Sequence, residues 1–167
     1  MIAKDPRAAL VLLVALAITP AFAQQQFHPR HIYDETADAH AEVRDALAIA
    51  ARQHKRVILD FGGNWCGDCQ VLDFYFHQQP NDALLNASYV LVDVDIGHYD
   101  HNTDLATQYD VPLKRGVPAL AVLDSHGRLL YSQKTGEFEN MRNMNPTSVT
   151  TFLQQWKPDT SEHKGGQ

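Results

Sequence analysis

Two cysteines stand three positions apart in Trp65-Cys66-Gly67-Asp68-Cys69, and the chain has no others. A structural disulfide closing so short a loop constrains the unfolded chain little, so the pair is poorly explained as a staple. Redox exchange or metal binding is the better reading. The surroundings favour exchange. The apolar run Val57-Ile58-Leu59 reads as a strand, Gly62-Gly63-Asn64 as a turn, and a helical pattern opens at Cys66. At a helix start Cys66 meets unpaired backbone N–H groups and the positive end of the dipole. Both stabilise a thiolate. Cys69 lies one turn further in, within reach of a mixed disulfide formed at Cys66. Two exchange steps then move one disulfide between proteins.

Sulfurs so placed need a frame. Apolar spacing predicts a helix over 38–54, with Val43, Leu47 and Ala50 on one face and Thr36 or Asp38 as its cap. A buried strand follows over 56–61. The helix opened by Cys66 is expected to run over 66–79, where Pro80 ends it, with a short helical turn over 81–86. A second strand covers 89–94, a polar loop 97–102 and a short helix 103–109. Gly116-Val117-Pro118 introduces a third strand over 119–123. Asp124-Ser125-His126-Gly127 then turns the chain into a returning strand over 128–132. A polar loop over 136–145 leads to a closing helix over 146–156, with Val149, Phe152 and Leu153 on its apolar side. This alternation predicts an α/β fold, a central mixed sheet flanked by helices on both faces.

Three separated features resemble the thioredoxin superfamily in order and spacing: Asp60-Phe61, then Trp65 to Cys69, then Gly116-Val117-Pro118. The resemblance covers 38–156 and implies a thioredoxin-like domain there. It implies Cys66 as the nucleophile and Cys69 as the resolving thiol. Asp60 matches a buried acid that carries protons to and from Cys69, a role that a carboxyl raised by burial suits. Pro118 matches a cis-proline facing the cysteines, which leaves the backbone of Val117 free to pair with an extended client segment. Trp65 would stand beside the nucleophile as an apolar platform. The redox-active disulfide Cys66–Cys69 is the whole prosthetic chemistry, with no cofactor.

The sequence also departs from that family. Gly67 and Asp68 separate the sulfurs, and Asp68 stands where thioredoxin has a proline. A carboxylate there disfavours a thiolate at Cys66 and makes the dithiol a better reductant. Phe74 replaces a helix proline. Leu91 replaces a lysine near the buried acid, with Asp93 and Asp95 as electrostatic substitutes or strand ends.

The chain has 167 residues, which is one domain's length, and a formal net charge of −6. Without a basic run, nucleic acid is excluded as an expected partner. Residues 1–23 read as a signal peptide. Lys4 and Arg7 precede an apolar run over 8–18, and Ala21-Phe22-Ala23 offers small residues for cleavage after Ala23. That run is shorter than the roughly 20 residues that span a bilayer. The protein is therefore expected in the periplasm or outside the cell, where disulfides persist. Residues 24–37 read as a leader with a short edge strand at 31–33, and 157–167 as a disordered tail.

The expected activity is dithiol–disulfide exchange on exported client proteins, leaning to the reducing direction. A membrane thiol electron donor would feed it, since the chain has no nicotinamide or flavin motif. A monomer is the expected state. Two alternatives stay open: a module holding Cu(I) between Cys66 and Cys69, and a thioredoxin-like binding protein without redox activity. His98, Asp100 and His101 belong to a set that can ligate metal, yet a solvated or substrate-facing loop explains them more simply.

Overall fold

A computed structural model describes residues 28–159. The signal-peptide reading, the first four residues of the leader and most of the tail lie outside the described residues.

Helix α1 (Ala39–Gln53) starts where Asp38 accepts the Ala41 N–H at 3.0 Å. Asp38 is therefore the cap, while Thr36 bonds to Asp34. The stripe Val43, Ala46 and Ala50 is buried, as its helical spacing requires. Strand β1 (Arg56–Gly62) is buried from its second residue onward. Continuous apolar runs of this kind mark a strand covered on both faces. It is the centre of a four-stranded sheet ordered β2-β1-β3-β4. Strand β2 (Tyr89–Asp95) runs parallel to β1, and β3 (Ala119–Leu123) antiparallel. Strand β4 (Leu129–Ser132) returns antiparallel to β3.

The alternation of β1 side chains divides the core in two. Val57, Leu59 and Phe61 pack with α1 and α4 (Thr103–Gln108). Ile58 packs with α2 (Gly67–Phe76), α3 (Asn81–Ser88) and α5 (Thr147–Trp156). The fold is the thioredoxin-like mixed sheet with helices on both faces. Removing a fully buried side chain such as Leu59 costs about 2–5 kcal/mol, so the strand beneath the cysteines is held firmly.

Three expectations need correction. The helix opened by Cys66 stops at Phe76, not at 79. The residue before a proline is driven out of the helical region, and the freed Tyr75 carbonyl is taken by Gln78 N–H and the Asn81 amide. No strand forms at 31–33. Its backbone groups pair with side chains instead. The loop over 136–145 is not simply polar: Phe138 and Met141 are buried, and a 3-10 turn forms at Met141–Asn143.

Candidate active site

Cys66 is the N-cap of α2, with extended backbone, and its Sγ accepts the Cys69 N–H at 3.1 Å. The two sulfurs form a disulfide, with Cα atoms 5.2 Å apart. Cys66 is 5% exposed and Cys69 fully buried. The Val117 carbonyl oxygen lies 3.6 Å from Cys66 Sγ, and the Val117–Pro118 peptide is cis. Gly116 turns the chain into this segment at φ +111°, and a Cβ there would meet a Glu139 carboxylate oxygen at 2.4 Å. Glycine is required on both counts.

The rim around Cys66 is aromatic. Trp65 is 48% exposed. Its indole N–H donates to the Gly97 carbonyl at 2.7 Å. Its ring stacks on His98 with centroids 5.5 Å apart, and Tyr99 tilts against it at 5.8 Å. The 97–102 loop thus braces Trp65. His101 and the Gly97 N–H both bond Asp95, which closes the loop. Among the described residues, no group of three or more His, Cys, Asp or Glu is arranged to hold a metal ion.

Asp68 has a partner that the sequence does not show. Its carboxylate is not free to repel a thiolate. Arg142 donates to it from Nε at 3.1 Å, from a terminal nitrogen at 2.9 Å and from its backbone N–H at 2.9 Å. This paired geometry offsets most of the charge that the sequence places beside the sulfurs. Gly67 carries no steric demand, since a Cβ there would lie 3.8 Å from the Arg142 guanidinium.

Beneath the sulfurs lies a floor of a different kind. Asp60 is 1% exposed, and burial first, then Asp93, raises its carboxyl well above the ordinary value. The Tyr33 hydroxyl donates to one Asp60 oxygen at 3.0 Å, while the other, Oδ1, has no hydrogen-bond partner among the described residues. Asp93 sits opposite Asp60 on β2, and burial, then Asp73, pushes its carboxyl up to about 7. Tyr33 and Cys69 converge over Gly62. A Cβ on Gly62 would lie 2.3 Å from the Tyr33 oxygen and 2.8 Å from Cys69 Sγ.

The segment expected to be a leader therefore belongs to the site. Asn64 Oδ1 accepts the N–H groups of Ile32 and Tyr33 at 2.9 and 3.1 Å, and its amide donates to the Tyr33 carbonyl. Gln70 exchanges two bonds with the Arg30 backbone, both at 2.8 Å. Arg30 also pairs with Asp73. Two side-chain amides thus do for this arm what a neighbouring strand would do.

Of the residues singled out from sequence, Cys66, Cys69, Val117, Pro118, Trp65, Asp60, Gly67 and Asp68 all surround the disulfide. Leu91 packs instead into the α2/α3/α5 core. Sequence reasoning missed Tyr33, Asn64 and Arg142. Tyr33 offered one signal, as an aromatic in an otherwise polar stretch. Arg142 offered none, being 74 positions from its partner.

Residues 38–125 match the Thioredoxin-like family model, and the chain belongs to that family of protein-disulfide oxidoreductases. The crystal structure of disulphide isomerase from Xylella fastidiosa Temecula1 is 39% identical and covers 75% of this chain and 96% of its own, with a TM-score of 0.72. The thiol:disulfide interchange protein DsbD of Pseudomonas fluorescens is 29% identical over 124 residues, 72% of this chain. Mouse thioredoxin is 40% identical over 48 residues, 29% of this chain. The chain spans 19% of the DsbD length and 45% of the thioredoxin length.

Proposed function

We propose that the protein is a thiol–disulfide oxidoreductase that reduces disulfides in exported client proteins. The carrying observation is the 3.6 Å approach of the Cys66 sulfur to the Val117 carbonyl. Reactive sulfur and backbone edge face the same client. In the reduced protein, the Cys66 thiolate attacks a client disulfide. A Cys66–client S–S bond forms, and one client sulfur leaves as thiolate. Cys69 then attacks Cys66 Sγ, closing the Cys66–Cys69 disulfide and releasing the second client thiolate. Two electrons pass from the dithiol to the client. Asp60 serves as the base for Cys69, and Trp65 as the apolar platform.

The reducing direction no longer rests on Asp68, whose charge Arg142 offsets. It is supported instead by what faces the sulfurs. The Val117 carbonyl oxygen lies 3.6 Å from Cys66 Sγ. The negative end of that carbonyl dipole disfavours negative sulfur, and a less stable dithiol is a stronger reductant. The charged and apolar opening of the sequence supports export, and similarity to part of an interchange protein supports a membrane thiol donor. Insulin reduction driven by a small dithiol tests the activity, and Cys66→Ser should abolish it. The potential should lie nearer about −270 mV than about −120 mV, and a value above roughly −180 mV would remove the reductase reading.

A further inference from the structure

We infer that Tyr33 is a proton-relay and positioning residue, passing the Cys69 proton to Asp60 through its buried hydroxyl. This inference rests on the exchange reading above. Three observations carry it. The Tyr33 ring is fully buried, and its hydroxyl donates to Asp60 Oδ2 at 3.0 Å. The same hydroxyl and the Cys69 sulfur both crowd the space above Gly62, at 2.3 and 2.8 Å from one hypothetical Cβ. They are therefore within about 5 Å of each other, a gap that a side-chain adjustment or one bridging water closes. Finally, five bonds from Asn64 and Gln70 to the backbone of Arg30, Ile32 and Tyr33 fix the arm that delivers this ring. So well-tied a segment is more than is needed to fill a core position.

The step balances as follows. Cys69 S–H gives its proton to the Tyr33 oxygen as Tyr33 gives its own to the Asp60 carboxylate. The products are a Cys69 thiolate and a neutral Asp60 carboxyl. The thiolate then attacks Cys66 Sγ, and the client leaves with the electron pair of the broken bond. The titratable groups facing Asp60 are Tyr33 from the arm, Asp93 from β2 and Asp73 from α2. Arg30 and His77 are turned to Asp73, so among the described residues no cation is bonded to Asp60 itself.

The test is Tyr33→Phe, which removes one oxygen and keeps the ring. The rate at which Cys69 resolves a preformed Cys66–client mixed disulfide is followed from pH 6 to pH 10. At pH 7 the variant should be slower by roughly tenfold, less than the loss of a whole general base costs. Above about pH 9, past the ordinary thiol value, solvent deprotonates Cys69 and the two proteins should converge. Tyr33→Phe/Asp60→Asn should be no slower than Asp60→Asn alone, because both lie on one route. An unchanged rate at pH 7, an equal fractional slowing at every pH, or additive losses in the double variant would each overturn the relay. If Tyr33→Phe does not fold, Asn64→Ala, which loosens the arm that carries Tyr33 and touches neither sulfur, should give the same pH-dependent slowing. A uniform slowing there counts against the relay. Wild-type protein that cannot reduce insulin would instead sink the exchange reading on which the relay depends.

Discussion

The two sides of the disulfide are built on opposite principles. On the outer side, around Cys66, charges are paired and rings are open. Asp68 is held by Arg142, and Trp65 lies half exposed on His98. On the inner side, beneath Cys69, Asp60 is buried and Asp93 half-buried, with no cation bonded to either among the described residues. Asp60 keeps one oxygen unpartnered, and Asp93 is pushed up to about 7. Leaving a buried carboxyl unpaired is costly, and the firm packing of β1 is what tolerates it. On the proposed function, the difference separates two jobs: the rim meets clients and the floor moves a proton.

Changes to the floor should therefore alter proton transfer and pH-dependent stability, and changes to the rim should alter the acidity of Cys66 or client affinity. The largest effect is expected from Asp60→Asn, which should slow insulin reduction at pH 7 by about a hundredfold. Stopped-flow rates would check this, with recovery at high pH as the mark of a lost base. Next is Arg142→Ala, which leaves Asp68 unpaired beside Cys66. The Cys66 thiol should titrate about one pH unit higher than in wild type, read from thiolate absorbance, and the potential should become more negative. Asp93→Asn bears on stability. A carboxyl raised in the folded state stabilises the fold fully below its unfolded value of about 4. That contribution is lost as pH rises through about 7. The wild-type melting temperature should thus fall across this window, and Asp93→Asn should flatten the fall. A variant whose melting curve still falls as steeply would blur the contrast between floor and rim. The smallest effect belongs to His98→Ala. Losing the stack on Trp65 should raise the client KM two- to threefold with kcat unchanged, consistent with about 0.5–1.5 kcal/mol for such ring pairs.

What could be read from sequence was whatever depends on local spacing. Strand β1, the turn at Gly62-Gly63-Asn64 and the helix behind Cys66 follow from period and punctuation, and they carry Asp60, Cys66 and Cys69 with them. Strand β3 follows in the same way from the residues after Pro118. What could not be read depends on single side chains reaching across the fold. The arm at Arg30–Tyr33 has no period, because Asn64 and Gln70 satisfy its backbone rather than a β ladder. Arg142 sits in a stretch that looks polar and is anchored by Met141, whose burial is a tertiary fact. The error over Asp68 has the same origin: a charge is visible in the sequence, but its partner is not.

On the proposed function, the outer sulfur alone meets the client and the inner one alone releases it. Replacing each cysteine by serine and incubating each variant with a disulfide-bearing protein, followed by mass spectrometry under non-reducing conditions, tests it directly. Cys69→Ser should accumulate a stable covalent adduct on Cys66, and Cys66→Ser should yield essentially none on Cys69. Equal adducts on both sulfurs, or none on either, would contradict the account.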